Sequence, residues 1–162
     1  MSKKYPKGRP LLFSSLEKIP CSRGATPVDF DKIMGHVGFV LEHCYDSPSV
    51  ANDIWVARFR NLLSSVLKSL GFLHKEKHLE NITVDALCGY LSFEHVHALS
   101  QSDLLPENLK TDLRSYLRSL PFYVGGHGAF AQCPHTKEMH EYCEMYAKQC
   151  LHSFAHDQAQ NL

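Results

Sequence analysis

Thiol and imidazole side chains gather near the C-terminal end of the chain, at Cys133, His135, His140, Cys143 and Cys150. This mixture suits tetrahedral zinc, which takes sulfur and nitrogen donors. His140 and Cys143 have the i, i+3 spacing that puts two side chains on one face of a helix. Against zinc stands the lack of a Cys-x-x-Cys pair, the usual arrangement of structural sites. Cys143 also falls on an apolar stripe, where a thiol behaves as a small core residue. Buried thiols and exposed histidines, with no metal and no cofactor, are therefore expected. Cys133, His135, His140 and Cys143 are the zinc candidates.

A second constellation is basic. Lys110, Arg114 and Arg118 recur at i, i+4 and i+8. Such a row spans successive phosphates or meets an acidic partner. With Glu107 and Asp112 beside it, an ordinary solvated face is the stronger reading. The connection HKEKH at 74–78 is similar: basic and expected to be exposed. GGHG at 125–128 follows no strand and lacks a lysine, so it reads as a loop and not a phosphate cradle. The sequence contains no GxxxxGK[ST], HExxH, EF-hand loop or GxSxG. Its cysteines and histidines offer nucleophile–base pairs only in principle, because the spacing supplies no geometry. A binding protein is expected, not an enzyme.

The elements that would hold these residues are helical. The length, 162 residues, suits one domain, and 44% hydrophobic with 21% charged residues is ordinary globular composition. Lys plus Arg balance Asp plus Glu at 17 each, which argues against binding nucleic acid through bulk charge. Six cysteines are scattered through a chain whose start is charged and without an apolar segment. No run approaches the length of a membrane span, and a reduced, cytoplasmic setting is expected.

Residues 1–25 carry basic residues and prolines without periodicity and read as an extended lead-in, with a helical domain over 26–156 and a tail over 157–162. Thr26 is expected to cap the first helix, with Pro27 in its first turn. The apolar stripe runs through Phe30, Ile33, Met34, Val37, Val40, Leu41 and Cys44. The second stripe, Trp55, Phe59, Leu62, Leu63, Val66, Leu67 and Leu70, is expected to stop near Gly71. Thr83 and Ser92 can cap two short helices, and Pro106 opens a fifth with Leu109, Leu113, Tyr116, Leu117 and Leu120 on one face. A last helix is expected over about Thr136 to Ala155, with Met139, Cys143, Tyr146, Cys150 and Phe154 inward. Nothing alternates at period two, so the class is all-α, a compact bundle of about six helices of unequal length.

The order of four pieces resembles the all-α domain of type IV coupling proteins, the TraD, TraG and DotL kind of conjugation and secretion ATPase. A Trp-x-x-Arg helix start is present at Trp55 and Arg58, followed by ITVDALCGYL from Ile82. Tyr116, Leu117, Leu120, Pro121 and Tyr123 match the YLxxLPGY stop of that family, with Phe122 where the family has glycine. Thr136, His140, Tyr142 and Met145 match its T-x-x-Q-H-x-Y-x-x-M helix opening, with Met139 in place of glutamine. The likeness covers roughly residues 53–156, and the first 50 residues match nothing in it.

The resemblance implies a cargo-recognition domain inserted in a motor domain, facing the cytoplasm from a membrane-anchored hexamer. Its partners would be a relaxase–DNA complex, or secreted protein substrates and their adaptors. The detached domain would be a monomer. Lys110, Arg114, Arg118 and Phe122 are the candidate contacts to nucleic acid or partner. Tyr123 is expected to be buried and Phe122 displayed. An insertion also requires the two ends of the ordered core to lie close together. Two other readings stay open: a free-standing helical adaptor or regulator that binds protein through an exposed apolar patch, and a Cys/His zinc protein.

Overall fold

A computed structural model describes residues 26–44, 54–125 and 131–161. The lead-in, the segment YDSPSVAND and most of GGHG lie outside these residues. Among the described residues there are six helices and no strand. They are α1 (Phe30–Cys44), α2 (Ile54–Lys75), α3 (Val84–Tyr90), α4 (Phe93–Ser100), α5 (Glu107–Ser119) and α6 (Pro134–Gln160). No described helix is long and apolar enough to cross a membrane.

The periodic stripes make the core. On α2, Phe59, Leu62, Leu63, Val66, Leu67 and Leu70 are sealed from solvent, and Trp55 packs at the edge. Helix α2 lies at the centre, against α1, α5 and α6, while α3 packs on α6 and α4 on α5. Phe30 meets Gly71 and His74, and Arg60 donates to the Leu41 carbonyl at 2.6 Å, so α1 runs antiparallel to α2. That bond also places a cation on the electronegative end of α1. Trp55 faces Tyr142 and Phe59 faces Tyr146, so α2 and α6 run in the same direction.

The helix ends show where local signals decide. Thr83 and Ser92 cap α3 and α4 as their types predict, accepting from the amides of Ala86 and His95. Pro106 occupies the cap position of α5, without a side-chain bond. At α1, by contrast, Asp29 is the cap in place of Thr26, its carboxylate accepting from the amides of Asp31 and Lys32. The amide of Val28 bonds the Ile82 carbonyl at 2.7 Å, which holds residues 26–29 extended. Gly71 does not stop α2. The helix runs on to Lys75 and ends in a Schellman turn: Lys77 is left-handed (φ 61°), and His78 donates to the Leu73 carbonyl. Leu73 and Leu79 are both buried, and burying them favours the extra turn over the glycine's preference to end it. Helix α6 likewise starts earlier and ends later than expected, and positions 157–160 of the expected tail are helical.

A methyl group on Gly71 would meet the Phe30 ring at 3.6 Å, an ordinary contact. Gly71→Ala is therefore expected to stabilise the fold by about 0.5–1 kcal/mol, the helix-interior difference between the two residues. Urea denaturation of the two proteins measures it.

Candidate functional site

Several of the residues singled out for chemistry, Arg118, Phe122, Cys133, His135 and His140, lie where the end of α5 meets the first turns of α6. Helix α5 stops because Pro121 has no amide for the next bond. Leu120, Pro121, Phe122 and Tyr123 then form a tight turn, with the Tyr123 amide on the Leu120 carbonyl at 3.3 Å. Proline second and a left-handed third residue are the marks of a type II turn. That third residue is Phe122, at φ 58°. A side chain there costs roughly 1–2 kcal/mol that glycine would not. The Phe122 ring recovers little by packing, since it is 74% exposed, with the His135 ring beside it at 5.7 Å between centres. Tyr123 turns inward against Phe93 at 6.3 Å and is half-buried, less deeply than expected.

Two polar ties fix this turn. The Thr136 hydroxyl, fully buried, donates to the Pro121 carbonyl at 2.6 Å. The buried Gln132 amide bonds Val124 twice, accepting from its N–H and donating to its carbonyl, both at 2.8 Å. Cys133 sits at the cap position of α6, 3.2 Å from the Thr136 hydroxyl.

One helical turn further on lies a second deeply buried polar group. His140 is 1% exposed. Its Nε2 lies 2.9 Å from the Leu91 carbonyl, which can only accept, so the proton is on Nε2. Nδ1 is then the acceptor for the Tyr116 hydroxyl, which donates at 2.8 Å. Leu91 closes α3, and its carbonyl has no helical partner to continue to. One imidazole thus joins α6, α5 and the turn between α3 and α4. Burial pushes the His140 pKa down, outweighing Glu144 at 3.7 Å. Burial also pushes the Cys143 thiol up, and the Cys88 thiol up to about 11.

The zinc candidates are not brought together. Both nitrogens of His140 are occupied, Cys143 is buried with a raised pKa, His135 is exposed beside Phe122, and Cys133 bonds Thr136. Among the described residues no group of three or more His, Cys, Asp or Glu could hold a metal ion.

The basic row is also changed by its surroundings. Glu107 takes Lys110 at 3.0 Å through one carboxylate oxygen and Arg114 through the other. These two cations hold the Glu107 carboxyl below its usual range. Arg118, a turn further along α5, is exposed and forms no ion pair among the described residues. The solvated-face reading thus describes two of the three, and the third stands near the Phe122 turn.

Sequence reasoning gave Arg58 no role as a contact. Its guanidinium lies 5.0 Å from the centre of the Trp55 ring. The signal was the i, i+3 spacing of Trp and Arg, which places both on one helix flank. Compared with known proteins, the chain matches no family model, no curated protein and no solved structure.

Tyr116→Phe leaves the buried Nδ1 of His140 without a donor and is expected to cost about 1–3 kcal/mol in urea denaturation. The pH dependence follows from the depressed His140 pKa. Below the unfolded value of about 6.5 the unfolded chain takes up a proton that the folded one refuses. Stability therefore falls as pH drops from 6.5 toward the folded pKa, and this group adds no pH dependence above 6.5. Thermal melts at pH 7 and pH 5 should show the loss in the native protein and a smaller one in His140→Gln.

Proposed function

We propose that the chain is a non-catalytic recognition module of the type IV coupling-protein kind, contacting a nucleoprotein or protein cargo through the α5–α6 end. One observation carries this reading. The residues of the four matching pieces, far apart in sequence, meet one another in the fold. Trp55 faces Tyr142, Tyr116 and the Leu91 carbonyl bond His140, and Thr136 bonds Pro121. A chance scatter of similar letters has no reason to interlock in this way.

Phe122 supports the reading from another side. The backbone there is left-handed, the conformation that calls for the glycine found at this place in coupling proteins. This chain keeps the turn and puts an exposed aromatic in it, at a cost in strain that packing does not repay. Strain of this kind is kept where a residue meets a partner. The ends of the described bundle also accord with an inserted domain. Thr26 to Asp29 and Gln158 to Ala159 line the same groove. Arg118 and Phe122 are then the leading contacts, while Lys110 and Arg114 are partly neutralised by Glu107.

A free-standing helical adaptor is the second reading. It is favoured by exposed apolar side chains around the start of α2 and the outer flank of α6. Ile54, Tyr142, Met145 and Tyr146 are between 37% and 57% exposed. Such a cluster marks a protein-binding face.

Fluorescence anisotropy with labelled single- and double-stranded oligonucleotides at low salt tests the nucleic-acid form. Binding is expected, with Arg118→Ala weakening it across sequences and reducing the salt slope by about one. An unaltered slope removes α5 as the contact, and no binding leaves the protein-cargo form alone. Phe122→Gly should raise stability by about 1 kcal/mol while weakening cargo binding. A loss of stability would show that the exposed ring is structural.

A further inference from the structure

Arg58 is half-buried and forms no ion pair among the described residues. Its Nε is sealed from solvent and has no hydrogen-bond acceptor. No carboxylate among the described residues comes within ion-pairing distance of it. The acids that form ion pairs serve others: Glu107 takes Lys110 and Arg114, Glu144 takes Lys148, and Asp157 lies by His36 and His156. Glu138 and Glu141, on the outer side of α6, are exposed and do not reach it. The other half-buried arginine of α2, Arg60, caps a helix by donating to the Leu41 carbonyl. Arg58 donates no such bond. A guanidinium with its Nε out of water and without an acceptor carries a cost that stacking on Trp55 offsets only in part, and its two terminal nitrogens stay free to meet a ligand.

The surroundings of this cation are those of a contact surface. The Trp55 ring holds the guanidinium on one side at 5.0 Å and faces Tyr142 at 6.2 Å. Tyr142 is 47% exposed and Met145 44%, and Tyr146 continues the row onto Phe59. Trp, Tyr, Met and Arg are the side chains enriched where proteins bind one another. A ring-stacked arginine presents a planar fork of donors that meets a carboxylate or a phosphate through two parallel bonds, and the apolar side chains around it favour the carboxylate of a peptide. The lining sets the rest of the ligand: apolar surface next to that carboxylate.

We propose that Trp55, Arg58, Tyr142, Met145 and Tyr146 form a docking site for an acidic, apolar peptide segment of a partner protein. One Asp or Glu of that segment would pair with Arg58, and its apolar neighbours would cover Tyr142 and Met145. The site is distinct from the Arg118–Phe122 turn and does not rest on the coupling-protein reading. It would serve an adaptor equally well.

A displayed library of random dodecapeptides, panned on the full chain with Arg58→Gln protein as counter-selection, tests the proposal. The enriched peptides should carry Asp or Glu beside large apolar residues. Synthetic copies should bind Arg58→Gln and Tyr142→Ser about tenfold or more weakly and bind Arg118→Ala as well as the native chain. If Arg58→Gln fails to fold by circular dichroism, Tyr142→Ser and Met145→Ser, on the exposed rim, carry the test. The proposal is overturned if nothing is enriched, if the enriched peptides lack a carboxylate, or if binding survives the rim substitutions. It is also overturned if sedimentation shows a dimer that Tyr142→Ser dissolves, because a second copy would then be the occupant.

Discussion

A neutral imidazole closed off from water accepts one arrangement only: a donor at one nitrogen and an acceptor at the other. His140 imposes that condition on three parts of the chain at once. Tyr116 must present its hydroxyl, which sets the rotation of α5, and Leu91 must present its carbonyl, which sets the turn between α3 and α4. The rest of that end follows. With α5 and α6 fixed against each other, Thr136 reaches the Pro121 carbonyl, and the chain leaves α5 through a turn with a left-handed third residue. The apolar stripes decide which faces meet, and the polar contacts reinforce one register.

The charges show a similar division between what the fold uses and what it leaves over. The chain balances overall, and on α6 Glu144 matches Lys148, while on α5 one carboxylate, Glu107, serves two cations. Two arginines escape this balance in different ways. Arg118 is hydrated and costs the fold nothing, so a partner would gain from it mainly in speed and salt-dependent attraction. Arg58 is already partly stripped of water and already oriented by Trp55. Part of the cost of binding has therefore been met during folding, and geometry counts for more there than attraction at a distance.

The architecture was legible because it rests on spacing. The stripes on α1, α2 and α5 and the caps Thr83 and Ser92 are local facts, and local physics settles them. The errors fall where a distant contact outweighed a local preference. Thr26 and Pro27 look like a helix start, yet the bond from Val28 to Ile82 keeps that segment extended and passes the cap to Asp29. Gly71 looks like a stop, yet burial of Leu73 and Leu79 carries α2 past it. At the candidate site the same limit applies. His140 and Cys143 have ligand spacing, but spacing on one helix does not reveal that Tyr116, on another, has claimed the imidazole. Nor does the basic row reveal which of its members Glu107 will neutralise, although Glu107 was in view. Phe122 and Tyr123 are told apart only by the resemblance, which has glycine at 122 and tyrosine at 123; Phe122 is displayed as expected, and Tyr123 is only half-buried.

The two ends of the described bundle come together at the far end of α6 from His140. Thr26 to Asp29 lie beside Gln158 and Ala159, and His36 of α1 packs edge-on to Phe154. From His140 to Gln158 along the helix is roughly 27 Å at 1.5 Å per residue. This separation has a mechanical meaning. Tension applied through the two ends would act across the α1–α6 contact as a zipper, parting it one helical turn at a time from the open side. The Tyr116–His140–Leu91 knot lies beyond the reach of the first turns to part. Under load the bundle would yield gradually from that end while the α5–α6 surface kept its shape.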